Sequence, residues 1–148
     1  HTAYRRQRQM CIRDRTCLLN EKMMKEFIDQ LKFNIDGLIP AVAQQWDSGE
    51  ILMMAWMSKQ TLLKSLEQKK AIYYSRSRQT EWRKGDTSGN IQIIKEIRID
   101  CDNDCILLLV DQKGAACHKN TRSCFTKLLS EKGLKNNAET AYPTFKVI

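Results

Sequence analysis

"IQIIKEIRIDCDNDCILLLVDQ", residues 91–112, decides the fold class. Isoleucines recur at 91, 93, 94, 97 and 99 between polar residues, and an apolar run fills 105–110. Both stretches have strand length and strand composition, so 91–100 and 105–112 read as β-strands. The Asp-Asn-Asp between them marks a bend, and a connection this short favours antiparallel pairing.

The bend holds three aspartates, Asp100, Asp102 and Asp104, and two cysteines, Cys101 and Cys105, within seven residues. In extended chain alternate side chains share a face, roughly 6.5–7 Å per pair of residues, which would put the three carboxylates on one side. Such an all-oxygen set suits a hard cation, Mg²⁺ or Ca²⁺. It resembles the start of an EF-hand loop, but Cys105 stands where that loop needs glycine and no helix–loop–helix surrounds it. The competing reading is a solvated acidic bend. Cys101 falls on the opposite face of the strand, with Ile97 and Ile99.

Four cysteines lie in the body of the chain, at 101, 105, 117 and 124. No secretory signal precedes them, so reduced thiols are expected. None forms a C-x₂-C knuckle, which excludes a standard zinc finger. Three thiolates gathered by folding would leave a fourth zinc position open, the arrangement of a catalytic site. Cys105, inside "CILLLV", reads as a small core residue. Cys117 and Cys124 flank the polar "HKNTRS". His118 is either a proton carrier or a surface histidine.

A third signal is "SRSRQTEWRKGDTSGN" (75–90), with Arg76, Arg78, Arg83 and Lys84 among Gly85, Thr87, Ser88 and Gly89. Cations, hydroxyls and close-approach glycines make a phosphate-binding composition. The spacing is neither a P-loop nor a dinucleotide fingerprint. Trp82 could stack on a base or fill the core. A solvated loop is the alternative.

Outward from these stretches, 20–33 reads as an amphipathic helix with Asn20 placed to cap it. Strands are expected at 40–46 and 51–57 around the turn "DSGE", then a helix over 59–70 capped by Ser58 with Leu62, Leu63 and Leu66 inward. A strand follows at 71–77 and a long loop at 78–90. Residues 113–125 read as turn, short strand and loop, and 126–132 as a helical turn. The expected fold is α+β and strand-rich: a curved antiparallel sheet with two helices in the N-terminal half.

The 148 residues suit one domain. The first seventeen residues carry four of the eight net positive charges and show no periodicity. Within them "RQRQMCIRDR" resembles translated sequencing-adapter sequence, so 1–17 is expected to be a non-native or disordered leader, 18–148 the domain, and Met23 or Met24 the native start. The charge left over is spread through the body and suits an anionic small molecule as well as a polymer. Apolar runs fall far short of the ~20 residues that a membrane helix needs.

Four segments, "LIPAVAQQWDSGEILMMAWM", "YYSRSRQTEWRKGDTSGN", "IRIDCDNDCILLLVDQKGAACH" and "RSCF", together resemble the phosphoribosyl-AMP cyclohydrolases of histidine biosynthesis. The resemblance runs in one register from about Gly37 to Phe125. It implies one Zn²⁺ per subunit at Cys101, Cys117 and Cys124, and Mg²⁺ at Asp100, Asp102 and Asp104. It implies substrate binding by Arg76, Ser77, Arg78, Trp82, Lys84, Gly85, Thr87, Ser88 and Gly89, with His118 catalytic. It implies an intertwined homodimer in the cytoplasm, with neither nucleic acid nor membrane as partner. The reaction implied is zinc-dependent hydrolytic opening of the adenine ring of 1-(5-phosphoribosyl)-AMP at N1–C6, giving the phosphoribosylformimino-AICAR ribotide. Departures from the family pattern are Glu81, where an apolar residue is usual, Asp86 for the commoner Glu, and Lys119-Asn120 for Thr-Gly. Two rivals remain. A metal-stabilised RNA-binding module needs four protein zinc ligands, and a zinc nucleobase deaminase needs H-x-E with P-C-x-x-C, which is absent.

Overall fold

A computed structural model describes residues 15–85, 89–115 and 121–136. Helix α1 (Arg15–Asp29) belongs to a compact unit ending at Leu31, and the chain from Lys32 onward forms a second unit. The helix begins before Asn20, so Asn20 lies inside it and does not cap it. Arg15, Leu18 and Leu19 are good helix formers and carry the helix back beyond the apolar stripe.

The described residues of the second unit form eight strands and one helix: β1 (Leu38–Gln45), β2 (Ile51–Ser58), α2 (Lys59–Gln68), β3 (Ile72–Ser75), β4 (Thr80–Arg83), β5 (Gln92–Ile99), β6 (Ile106–Gln112), β7 (Lys127–Ser130) and β8 (Gly133–Asn136). Six strands form one sheet in the order β4-β3-β2-β1-β6-β5. Its neighbours pair antiparallel except β1 and β6, which run parallel with Ala41 opposite Ile106 and Ala43 opposite Leu108. The expected antiparallel sheet is therefore mixed. Short loops dictate only the pairing of chain neighbours, and β1 meets β6 across everything between them. That central pair is the driest part of the sheet: Ile39, Ala41, Ala43, Ile106, Leu108 and Val110 are all fully buried.

The sheet curls into a half-barrel. Ala71 donates its amide to the Gln92 carbonyl (3.0 Å) and Ile94 donates to Lys69 (2.8 Å), so the start of β5 reaches the chain just ahead of β3. Ser58 caps α2 as expected: its hydroxyl accepts the Thr61 amide at 3.1 Å while Thr61 Oγ1 accepts the Ser58 amide at 2.9 Å. The buried face is Thr61, Leu62 and Ser65, with Leu63 and Leu66 only half-buried. Ser65 takes the inner position because its hydroxyl donates to the Thr61 carbonyl and accepts the Ile72 amide, joining α2 to β3.

Other expectations fail as well. Residues 78–90 contain β4, folded back on β3 through a turn in which Gln79 is left-handed (φ 53°). Residues 126–132 are not a helical turn: β7 and β8 form a hairpin instead. Among the described residues 113–125 holds no strand, and no described helix is long and apolar enough to cross a membrane.

Candidate active site

The acidic bend is a turn, not a strand face. Asp100 donates its amide to the Cys105 carbonyl (3.1 Å) as β5 ends, and Asn103 donates to the Asp100 carbonyl (3.2 Å). Asp100 Oδ1 accepts the amides of Asp104 (2.9 Å) and Cys105 (3.2 Å), so one aspartate serves as the acceptor that closes the turn. Asn103 takes the left-handed backbone the turn requires (φ 65°), which Asn tolerates better than most residues. The result still gathers Asp100, Asp102 and Asp104: one carboxylate oxygen from each lies within 4.8 Å of the others, all exposed. Strand alternation gives the right grouping for the wrong reason.

The three charges work against one another. Hydrogen bonding of its acid form to Asp100 and Asp102, with their negative charge, pushes the Asp104 carboxyl up to about 6. Partial desolvation pushes Asp100 upward, but hydrogen bonds from Asp104, Asp102 and the turn amides outweigh it and hold Asp100 below the usual carboxylate range. An all-carboxylate cluster with unrelieved repulsion fits a hard divalent cation by donor type and by spacing.

Of the three expected zinc ligands, Cys101 lies in the same turn and is exposed. Cys124 is also exposed and is strapped beside β2, its amide donating to the Leu52 carbonyl at 2.8 Å. Ser123 holds it there, giving its hydroxyl proton to Ile51 O (2.8 Å) and accepting the Phe125 amide (3.0 Å). Cys117 and His118 lie outside the described residues. Among the described residues the aspartates are the one group of three or more His, Cys, Asp or Glu side chains close enough to share an ion, and neither Cys101 nor Cys124 belongs to it. Cys105 is half-buried at the foot of β6, and burial followed by the nearby aspartates raises its thiol pKa.

The basic stretch divides. Arg76 and Arg78 are exposed, Arg76 sitting over the Trp56 ring at 4.9 Å and Arg78 donating through Nε to Ser75 Oγ. Ser77 shares a hydrogen bond with Ser75 at 3.3 Å. Trp82 packs on the buried Tyr73 with ring centres 5.6 Å apart, so it belongs at least partly to the core. Lys84 points inward: it is buried, lies 5.7 Å from the Trp82 ring and donates to the Ala115 carbonyl at 3.5 Å. Gly85 is required on both counts that favour glycine. Its φ is 95°, and a Cβ there would lie 2.8 Å from the Ile91 amide nitrogen. Gly89 is exposed with φ 74°, and Thr87 and Ser88 lie outside the described residues.

Sequence reasoning passed over a buried polar chain beside these groups: Tyr73, Gln92, Gln112, Gln45 and Glu50, with Arg122 reaching in from the surface. The signal that could have found it was a glutamine at the start of β5 and another at the end of β6, in otherwise apolar strands. Burial, then the charge of nearby Cys124, pushes the Tyr73 phenol well above its ordinary value, so it stays protonated.

Comparison with known proteins places the chain among hydrolytic enzymes. The model of the phosphoribosyl-AMP cyclohydrolase family matches residues 53–126. The chain is 47% identical over 121 residues to the phosphoribosyl-AMP cyclohydrolase of Rhodospirillum centenum, covering 82% of this chain and 91% of the relative. It is 52% identical over 112 residues to that of Chlorobium phaeobacteroides, covering 76% and 82%. Against that of Halorhodospira halophila it is 56% identical over 102 residues, covering 69% and 72%. The chain belongs to the phosphoribosyl-AMP cyclohydrolase family.

Proposed function

We propose that this enzyme opens the adenine ring of phosphoribosyl-AMP by hydrolysis at N1–C6, a step of L-histidine biosynthesis carried out in the cytoplasm. The observation that carries the reading is positional: every candidate site residue, from Arg76 to Cys124, lies inside the 53–126 span that matches the family.

Ribosylation at N1 leaves C6 electrophilic, so the protein has to deliver water to C6, take up its proton and hold the ring. Cys101, Cys117 and Cys124 would hold Zn²⁺, and three thiolates leave one position open. When bound, the ion supplies the Lewis acidity that activates water near neutral pH. The donor types fit, and Cys101 and Cys124 are both exposed. His118 takes the proton of the attacking water and returns it to the departing N1. Arg76 and Arg78, the exposed cations of their loop, bind phosphate, with Ser77, Thr87, Ser88 and Gly89 as neutral partners. Trp82, Lys84 and Gly85, at and after the end of β4, complete the binding set: Trp82 packs on Tyr73, Lys84 donates to the Ala115 carbonyl and Gly85 lies close against Ile91. Asp100, Asp102 and Asp104 would hold Mg²⁺, which offsets their mutual repulsion.

A homodimer forms part of this reading. The β7–β8 hairpin leaves Leu129 80% and Leu134 65% exposed, and Leu128 and Phe125 half exposed. A two-stranded hairpin is marginal alone, and a second copy is the occupant we infer for its apolar side chains.

The test is turnover of phosphoribosyl-AMP by purified protein, followed by absorbance, together with metal analysis. Cys124→Ala is expected to lose zinc and activity together. A fully active protein without zinc would end the reading.

A further inference from the structure

A line of buried amides runs from Tyr73 to both ends of the segment that carries Cys117 and His118. The Tyr73 hydroxyl donates to Gln92 Oε1 at 2.6 Å. Gln92, fully buried, donates through Nε2 to Gln112 Oε1 at 2.8 Å. Gln112 Nε2 then donates twice, to the Gly114 carbonyl at 3.1 Å and the Arg122 carbonyl at 2.9 Å. Gly114 and Arg122, one on each side of the seven-residue stretch 115–121, are thus brought to a single nitrogen atom.

The direction of the line is dictated by its far end. Two carbonyls demand that Gln112 present its NH₂ group, which leaves its Oε1 facing Gln92 and in need of a donor. Gln92 can supply that donor only by turning its own oxygen toward Tyr73, and the phenol satisfies it. Flipping either amide would set oxygen against oxygen in a dry interior. Arg122 is held from its other side as well, its guanidinium donating to Glu50 Oε2 (3.3 Å) and Gln45 Oε1 (3.1 Å). Gln45 in turn accepts the Gln112 amide at 3.0 Å. A strand end filled by leucine would bury more apolar surface, whereas Gln112 gives both hydrogens of its buried amide to the two carbonyls that flank that segment.

We propose that Gln112 is a positioning residue for the reaction: backed by Gln92 and Tyr73, it ties the two ends of 115–121 together and so sets where Cys117 and His118 are delivered. The inference rests on the roles given to Cys117 and His118 above.

Gln112→Met keeps the length of the side chain and removes both donors, and Gln112→Glu keeps its shape but turns an oxygen on the carbonyls. Tyr73→Phe removes the phenol alone and covers the case in which a Gln112 variant does not fold. Turnover of phosphoribosyl-AMP is expected to fall about 10- to 100-fold in both Gln112 variants, as a displaced reacting group requires, with KM held within about twofold. Tyr73→Phe is expected to move turnover the same way by less. A second reading needs no catalysis: iodoacetamide alkylation of Cys117 in zinc-stripped protein, followed by mass spectrometry with Cys105 as internal reference. Its rate is expected to rise several-fold in the Gln112 variants and to stay unchanged in Lys113→Ala, a neighbouring exposed control. A lower melting temperature with unchanged turnover and unchanged Cys117 reactivity would reduce the line to core filling and overturn the proposal. Wild-type protein that does not process phosphoribosyl-AMP would overturn the functional reading instead, and Cys117 alkylation would still decide whether Gln112 tethers the segment.

Discussion

Asp104 sits where two other carboxylates already are, and its titration follows from that. Its carboxyl is raised to about 6 in the folded protein. Above that value its charge disfavours the folded state, so without metal the acid form is favoured as pH falls through 6 toward the ordinary carboxylate range. A divalent cation reverses the sign, because it needs the charged form and competes with the proton. The melting-temperature gain from saturating Mg²⁺ is therefore expected to be large well above pH 6 and to vanish well below it, in a thermal scan at several pH values. Asp104→Asn is expected to raise the melting temperature of metal-free protein at neutral pH and to abolish the Mg²⁺-induced gain. A gain independent of pH in the wild type would sink the cation reading. The cluster was legible from spacing alone, but its geometry was not. Asp-Asn-Asp after a strand is also a turn composition, and the bond from Asp104 N–H to Asp100 Oδ1 shows which of the two patterns won.

Among the elements, α2 was read well because its signals are local: a serine cap, an apolar stripe and a neighbouring strand. Ser58→Ala removes the hydroxyl that accepts the Thr61 amide, leaving the bond from the Ser58 amide to Thr61 Oγ1, and is expected to cost about 1 kcal/mol in chemical denaturation. β4 was missed because Thr80–Arg83 is a short polar edge strand, read as loop by composition. Its polarity is used: Lys64 on α2 reaches Glu81 at 2.8 Å and Arg83 reaches Gln68 at 2.9 Å, so the strand is held to the helix by side chains as well as by its partner strand. The Lys64 contact holds the Glu81 carboxyl below its usual range and gives a reason for an acid where the family pattern leads one to expect an apolar residue. The hinge behind β4 tolerates less. Gly85→Ala would place a Cβ against Ile91 at a left-handed backbone, and a loss of more than about 1 kcal/mol is expected. The same denaturation curves check it, and a Gly85→Ala protein as stable as wild type would show that the loop can move aside.

At the scale of the whole molecule, the α+β, strand-rich class was legible, while the number of strands and the pairing between distant ones were not, since periodicity records which face is buried and not against what. β7 and β8 were misread for a related reason: the leucines at 128, 129 and 134 are exposed among the described residues, so no buried face imposes a strand period on them. If a second copy covers them, Leu129→Asp is expected to shift the mass measured by light scattering from two chains toward one; an unchanged dimer would move the interface elsewhere. The β1–β6 seam bears on how the chain reaches this state at all. Every other pair in the sheet joins strands consecutive in the chain, across a short connection or, for β2 and β3, across α2. The seam joins Ala41 to Ile106 and has to close a loop of about 65 residues before its first contact is made. During synthesis the finished β1–β2 ribbon must therefore wait at the ribosome with one long flank bare until Ile106 emerges, and that interval is when nascent chains of this enzyme are most exposed to pairing with each other.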